Sequence, residues 1–364
     1  MKKKIKQLVH TKKIQKLPIW NLKDLYQSPT DNKLKDDLSN AGKLSRIFHD
    51  QNAGTLGTLD GNALRHIIEK YEEIQAILGR VTSYAYLYYC TRMDDPESAK
   101  VFQNLSEEVS NISRYLVFFT VEFNQLSDED LDEQLKDASL KNYYPWLRDI
   151  RALKPYQLSK DLERILHEKE VSGRAAWVRL FDETIDSLRF SVDDISLTTT
   201  EALDLLSHQN SDKRRSAAKA IGQVFGDNIR IFSLILNTLA KEKETEDRWR
   251  GYSEPMSARN LSNQVEDSVV NSLIEAVKES FPLLSHRYYA LKAKWLGVEV
   301  LDYWDRNAPL PGSDERVIPW EEAVDLVISA YQDFSPQLAE LGKQFFNNPW
   351  IDAGSKLGKV SGAF

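Results

Sequence analysis

The stretch at residues 166–171, LHEKEV, begins like the zinc-binding sequence H-E-x-x-H but does not complete it. Two histidines four residues apart lie on one face of a helix, so both can bind one zinc ion while the intervening Glu lies beside the bound water. In this chain the position of the second histidine holds Val171. The segment therefore contains half of the motif, and its spacing alone predicts no zinc site.

The helix expected around this half-motif carries one apolar stripe, formed by Leu158, Leu162, Ile165 and Leu166. His167 lies about 100° or more around the helix from most of that stripe, so we expect it to face solvent. A metal site formed by Glu163, His167 and Glu170 is the alternative, but a solvated helix face is favoured by the charge pattern.

Composition limits the classes of protein to which this chain of 364 residues can belong. A hydrophobic content of 41% is enough for a real core. The formal net charge of -7, from 48 Lys and Arg against 55 Asp and Glu, argues against a nucleic acid partner. The longest apolar run, YLVFFTV at 115–121, is much shorter than the roughly 20 residues of a membrane span, so no membrane association is expected.

Two local features favour a cytoplasmic location. The first sixteen residues contain seven lysines and no acid, but no apolar run follows them, so we interpret them as a basic tail and not as a signal peptide. Cys90 is the only cysteine and lies in the aromatic run YAYLYYC, where a small buried hydrophobic residue is the expected role.

Most of the chain has apolar residues at spacings of three and four, which predicts a mostly α-helical fold. Helix starts are predicted at Ser127, at Asn263 capped with Glu266, at Pro319 and at Ser335. Two of the later helices are predicted to carry an apolar stripe: Val269, Val270, Leu273, Val277 and Phe281 on one, and Trp320, Val324, Val327, Tyr331 and Phe334 on the other. The second of these stripes is predicted to face inward.

Two segments interrupt the helical pattern. Alternating apolar residues on both sides of Asp193 and Asp194 predict a β-hairpin near 188–198, and we place a lobe boundary at residue 197, after this hairpin. At the C-terminal end, Pro349 and the glycines at 354, 358 and 362 predict a loop that leads into a short strand.

Several stretches together resemble the oligoendopeptidase F family, the bacterial relatives of thimet oligopeptidase. They are PIWNLKDLY near the start, SGRAAWVRLFDET at 172–184, TLAKEKETEDRWRGY at 238–252, HRYYALKAKWLG at 286–297, YWDRNAPLP at 303–311 and WIDAGSKLGKVSGAF at 350–364. Each stretch alone is weak evidence, but the set is specific and covers nearly the whole chain.

The resemblance implies a zinc metalloendopeptidase, a hydrolase that cuts short peptides in a channel between two mostly helical lobes. Residues 1–197 would form the N-terminal lobe, and residues 198–364 would form the first part of the catalytic domain. In this family the H-E-x-x-H helix and a further glutamate ligand follow the GK...GAF stretch, so the zinc ligands are expected downstream of Phe364. No catalytic or metal-binding residue is therefore assigned, and the chain alone is expected to be inactive.

The resemblance also places residues 358–363 beside the zinc helix, where an extended peptide could pair with the backbone. Gly358, Ser361, Gly362 and Ala363 are the candidate substrate-binding residues, with a simple glycine turn as the alternative.

Two other groups of residues in the matching stretches are expected to have structural roles. Arg248, Arg250 and Tyr252 are expected to form a salt-bridge and packing cluster between the lobes, and Trp304 and Asp305 are expected to be structural anchors. A non-catalytic helical module that binds peptides or a partner chain remains the alternative function.

Overall fold

The computed structural model describes residues 17–312, 316–354 and 356–360. The segment interpreted as a basic tail, residues 1–16, lies outside the described residues. Eight α-helices precede the hairpin in the described part: α1 (Asn32–Asn52), α2 (Gly61–Tyr89), α3 (Pro96–Ser113), α4 (Val117–Gln125), α5 (Asp128–Gln134), α6 (Tyr144–Arg151), α7 (Lys160–Lys169) and α8 (Arg174–Ser187). The prediction of a mostly helical fold is confirmed.

Local capping explains where several of these helices begin. Asp60 and Asp95 accept hydrogen bonds from backbone amides in the first turns of α2 and α3, which satisfies donors that have no partner within the helix. The predicted cap Ser127 does the same for α5.

The main core lies among α1, α2, α4 and α6, where aromatic rings fill the space between the helices. Phe118, Phe119 and Phe123 are fully buried, and the ring of Tyr71 stacks on that of Phe119 at a centroid distance of 4.8 Å. Burial of each such side chain contributes roughly 1.5–3 kcal/mol. Cys90, at the end of α2, is also fully buried, as the sequence predicts, and burial raises the pKa of its thiol to about 11.

The predicted hairpin is present as β1 (Phe190–Val192) and β2 (Ile195–Leu197), an antiparallel pair with Val192 opposite Ile195. Asp193 and Asp194 form its two-residue turn with φ values of 51° and 63°. Positive φ at both central positions gives the turn twist that suits a two-residue hairpin, and Asp tolerates this conformation better than most residues.

The helices after the hairpin are α9 (Thr199–Asp204), α10 (Ser211–Asp227), α11 (Ile229–Arg250), α12 (Ser257–Ser262), α13 (Asp267–Ser280), α14 (Arg287–Trp295), α15 (Trp320–Phe334) and α16 (Pro336–Asn347). A π-helical turn, Pro282–His286, joins α13 to α14. The starts predicted at Pro319 and Ser335 are confirmed. The Asn263 cap is wrong, because Asn263 ends α12 and α13 begins four residues later.

Few large apolar side chains are buried in the second half of the chain, which comprises the described residues after Leu197. Beyond Leu197 the buried apolar residues of the described part are small, apart from one isoleucine: Ala202, Ala217, Ala218, Ile235, Ala293, Ala308 and Ala339. Both later stripes are largely exposed, with Leu273 of the first stripe 64% exposed. The inward orientation predicted for the second stripe is wrong for Val327, Tyr331 and Phe334, the last of which is 84% exposed. Helical periodicity places apolar residues on one face but does not supply an element to cover that face.

One buried ion pair anchors the second half. Arg214 on α10 donates from Nε and Nη2 to Oδ1 of Asp305, at 3.0 and 2.5 Å, and both side chains are buried. This contact agrees with the predicted anchoring role of Asp305. Over the described residues, no helix is both long and apolar enough to cross a membrane.

Candidate functional site

The C-terminal segment, defined here as residues 349–354 and 356–360, lies against two other parts of the chain. The amide of Asn21 donates to the carbonyl of Pro349 at 2.7 Å, and the amide of Ala353 donates to the carbonyl of Pro18 at 3.0 Å. Farther along, the amide of Val360 donates to the carbonyl of Cys90 at 2.8 Å. These bonds fix the backbone that leads directly into residues 361–363.

Gly358 is buried in a turn of this segment. Its φ is +69°, and a Cβ at this position would lie 1.8 Å from Oδ1 of Asp94. Its carbonyl accepts a hydrogen bond of 2.8 Å from the amide of Met93. Glycine is therefore required by both the backbone conformation and the close approach of the loop between α2 and α3.

The other three candidate substrate-binding residues, Ser361, Gly362 and Ala363, lie outside the described residues. Residues 356–360 contain no strand, so the short C-terminal strand that the sequence predicts is not seen in this described stretch.

A lysine and an aspartate close the C-terminal segment into a loop. Nζ of Lys359 donates to the carbonyls of Asp352 and Gly354, at 2.5 and 2.9 Å, and lies 2.8 Å from Oδ1 of Asp352. The other carboxylate oxygen, Oδ2 of Asp352, is buried and has no hydrogen-bond partner in the described part of the chain. Sequence reasoning missed this pair, because nothing in the spacing of the two residues indicates that they meet.

A cavity of about 570 Å³, called here the C-terminal cleft, lies between this segment, α8 and the start of α9. Asp182 and Asp186 line it, one helical turn apart on α8. Partial desolvation raises the pKa of both carboxyls, and the neighbouring Glu183 charge raises that of Asp182 further. The cleft therefore has an acidic wall.

The predicted solvent exposure of His167 is wrong. Its Nε2 lies 2.7 Å from Oγ of Ser113 on α3, and it lines a cavity of about 420 Å³ between α3, α4 and the end of α11. Burial lowers the pKa of this imidazole. The polar face of α7 packs inward because α3 and α11 supply polar partners for it.

Part of the apolar stripe of α7 faces an open groove and not the protein core. Leu162 and Ile165 are exposed, the latter by 52%, and line a groove of about 1020 Å³ between α7 and α11 together with Trp249. The predicted orientation of the α7 stripe is therefore reversed for these two residues.

The predicted cluster around Arg250 is confirmed as a salt-bridge and packing site. Arg250 forms a two-point contact with Glu163 and also donates to the carbonyl of Tyr156 at 3.3 Å. The ring of Tyr156 stacks on that of Tyr252 at a centroid distance of 4.1 Å. Arg248 does not join this cluster, because it pairs with Glu244 on the exposed surface of α11.

Across residues 17–312, 316–354 and 356–360, no group of three or more His, Cys, Asp or Glu side chains is arranged to hold a metal ion. The alternative set Glu163, His167 and Glu170 does not form a site, because Arg250 engages Glu163 and Ser113 engages His167. The described residues therefore do not fit a zinc ion.

Comparison with solved structures gives the class of fold. The chain is similar to the crystal structure of oligoendopeptidase-F from Enterococcus faecium, with a TM-score of 0.70 and 20% identity over 86% of this chain and 65% of that chain. It is also similar to a putative oligoendopeptidase F from Bacillus anthracis, with a TM-score of 0.69 and 16% identity over 91% of this chain and 57% of that chain.

Sequence comparison finds similar proteins that are named as oligopeptidases. Residues 122–190 match the family model described as Oligopeptidase F. Oligopeptidase PepF of Bacillus subtilis is 22% identical over 100% of this chain and 54% of its own length. An oligoendopeptidase F homolog of Lactococcus lactis is 26% identical over 95% of this chain and 58% of its own length. The chain is similar to these oligopeptidases along 95–100% of its length, and it spans about half the length of these curated relatives.

Proposed function

We propose that this chain is part of a zinc-dependent endopeptidase of the oligoendopeptidase F type, which hydrolyses short peptides in the cytoplasm. The observation that carries this proposal is the similarity of 95–100% of the chain to proteins named as oligopeptidases. The solved structures of similar fold add support for the architecture. Zinc dependence rests on the family resemblance alone, since the described residues offer no ligand set.

In this proposal the chain supplies residues that bind the substrate and a backbone that holds those residues in position. The backbone of residues 361–363 would pair with an extended peptide through main-chain hydrogen bonds, as an added strand does. The bonds of Gly358 and Val360 to the loop between α2 and α3 support such a role, because they hold the preceding backbone in place. Gly358 itself would act as a positioning residue, since its carbonyl is already bonded to Met93.

The test is cleavage of internally quenched short peptides by the whole protein that contains these residues. We expect cleavage that is lost after treatment with a chelator and restored by zinc. Residues 1–364 alone are expected to bind the same peptides without cutting them and to retain no stoichiometric zinc after extensive dialysis.

Two results would contradict the proposal. Binding of peptides by the whole protein with no cleavage in the presence of zinc would favour the non-catalytic peptide-binding module. One zinc retained per chain of residues 1–364, and lost in a His167→Ala variant, would show that the HEKEV segment does bind metal.

A further inference from the structure

Two guanidinium groups approach one tyrosine ring where α1 lies beside the end of α3. Arg46 is part of α1, and Arg114 directly follows α3. Their Cζ atoms lie 5.8 and 5.1 Å from the centroid of the Tyr115 ring. Nη2 of Arg114 also donates a hydrogen bond of 3.3 Å to the hydroxyl oxygen of Tyr115. We call these three side chains the Arg–Tyr cluster.

The Arg–Tyr cluster has hydrogen-bond donors without matching acceptors. Arg46 forms no ion pair with any described carboxylate. The carboxylate of Glu168 lies near Arg114, but the Nη1–Oε2 distance of 3.9 Å is too long for a hydrogen bond. The Tyr115 hydroxyl accepts the bond from Arg114, and its own proton has no acceptor among the described residues. These donors are therefore able to bind an added acceptor.

The neighbouring acidic side chains are engaged with other partners. Oδ1 of Asp50 lies 3.2 Å from Nδ1 of His49, whose ring packs edge-on against that of Tyr115 at a centroid distance of 6.0 Å. Oε1 of Glu168 lies 4.0 Å from Nε of Arg164 on α7, so this single acid is shared between two arginines. The Arg–Tyr cluster therefore keeps an excess of positive charge.

The hydroxyl of Tyr115 responds to this excess charge. The hydrogen bond from Arg114 and the positive charges of Arg114 and Arg46 lower the pKa of Tyr115 below its usual value. Positive charge lowers the pKa of an acidic group because it stabilises the deprotonated, anionic form. The same positive potential would stabilise an anion bound beside the hydroxyl.

We infer that the Arg–Tyr cluster binds an oxyanion group, the phosphate or carboxylate of a small molecule. Guanidinium groups donate two parallel hydrogen bonds to such groups, and these charge-assisted bonds are stronger than bonds between neutral groups. The Tyr115 hydroxyl supplies a further donor. This inference does not depend on the proposed peptidase function, which assigns no role to Arg46, Arg114 or Tyr115.

The experiment follows tyrosine ring signals by NMR in the whole protein labelled with ¹³C-tyrosine, with the Tyr115 signal assigned from a Tyr115→Phe variant. Sodium phosphate is added at low ionic strength, and sodium chloride is added to a parallel sample at equal ionic strength. We expect phosphate to shift the Tyr115 signal with half-saturation at about 1 mM and to raise the Tyr115 pKa, because the bound anion offsets the charge of the guanidiniums. Chloride should produce no saturable shift.

The matched control is Arg92, whose Cζ lies 4.5 Å from the ring centroid of Tyr88, with no second guanidinium over that ring in the described part of the chain. Arg46 is exposed, so Arg46→Gln should leave the packing intact and weaken phosphate binding at Tyr115 by about tenfold, through loss of a charge-assisted contact. Arg92→Gln should leave that binding unchanged, and the Tyr88 signal should show no saturable shift.

Sodium acetate distinguishes the two kinds of oxyanion. Saturation by phosphate alone, by acetate alone or by both assigns the site to phosphates, to carboxylates or to oxyanions in general. Saturation by neither, equal shifts with phosphate and chloride, or unchanged binding in Arg46→Gln would overturn the inference. A whole protein that binds the anion at Tyr115 and cleaves no peptide would support the inference and contradict only the proposed function.

Discussion

The guanidinium of Arg250 donates two hydrogen bonds to the carboxylate of Glu163, with Nη1–Oε1 and Nη2–Oε2 distances of 2.6 and 2.9 Å. The two side chains are 18% and 16% exposed. Burial alone would raise the pKa of Glu163, but the bonds from Arg250 and from the amide of Leu158 hold it below its usual value. This pair joins the end of α11 to α7 and thereby sets which face of α7 points inward.

Replacement of Arg250 with Met should destabilise the protein by about 2 kcal/mol at pH 7, because it leaves a largely buried carboxylate without its partner. The pKa of Glu163 is depressed in the folded state, so this stabilisation is present above the unfolded pKa of about 4.3 and is lost as the pH falls through the folded value. Urea denaturation at pH 7 and at lower pH measures both effects.

Arg248→Met is the matched control for that experiment. Arg248 pairs with Glu244 on the exposed surface of the same helix, and such pairs contribute about 0–1 kcal/mol. Equal losses of stability in the two variants would contradict the importance that we assign to the Arg250–Glu163 pair.

Gly358→Ala should destabilise the C-terminal segment, because the new Cβ meets Asp94 and the backbone has a left-handed φ. A cost of about 1–2 kcal/mol is expected from the backbone conformation alone. Hydrogen exchange at the Met93 amide, which donates to the Gly358 carbonyl, should become faster. Gly354→Ala is the control, since its Cβ would meet nothing within 4 Å; equal effects of the two substitutions would rule out this explanation.

His167 should make the protein less stable in mild acid. Burial lowers its pKa in the folded state. The contribution of the neutral imidazole to the free energy of unfolding is therefore complete above the unfolded-state pKa of about 6.5, and it is lost as the pH falls through the folded-state pKa. The thermal midpoint should therefore fall less between pH 7.5 and pH 5 in a His167→Asn variant than in the unmodified protein. Ser113→Ala, which keeps the imidazole buried, should retain the full decrease. Identical decreases in all three proteins would mean that His167 is solvated.

Residues from about 200 onward should exchange their amide hydrogens faster than α2 and α4 do. Local opening free energy depends on buried apolar contacts, and the buried apolar residues described beyond Leu197 are alanines and Ile235. Hydrogen exchange with mass spectrometry on residues 1–364 measures this directly. Equally slow exchange in both halves would indicate that the second half is stable by itself.

Ala363→Pro tests the proposed pairing of residues 361–363 with substrate. Proline removes one backbone N–H and adds little bulk, so turnover of short peptides by the whole protein should fall on the order of a hundredfold through loss of alignment. Zinc content and thermal midpoint should stay nearly unchanged. A bulky residue at Gly362 should act in the same way, and full activity of Ala363→Pro would favour a simple turn.

Short-range features were predictable because neighbouring residues determine them. The capping residues Ser127 and Ser335 bond to amides three residues away, and the alternation around Asp193 and Asp194 fixes a two-residue hairpin. The family resemblance came from the same source, since several short motifs in one order are a property of the chain alone.

Contacts between distant residues required the tertiary structure. Arg250 and Glu163 are 87 positions apart, and Ser113 and His167 are 54 apart, so no local pattern shows that they meet. These partners turned the polar face of α7 inward against the expectation from its apolar stripe. Amphipathic periodicity defines which residues share a helix face, but the neighbouring elements decide whether that face is buried.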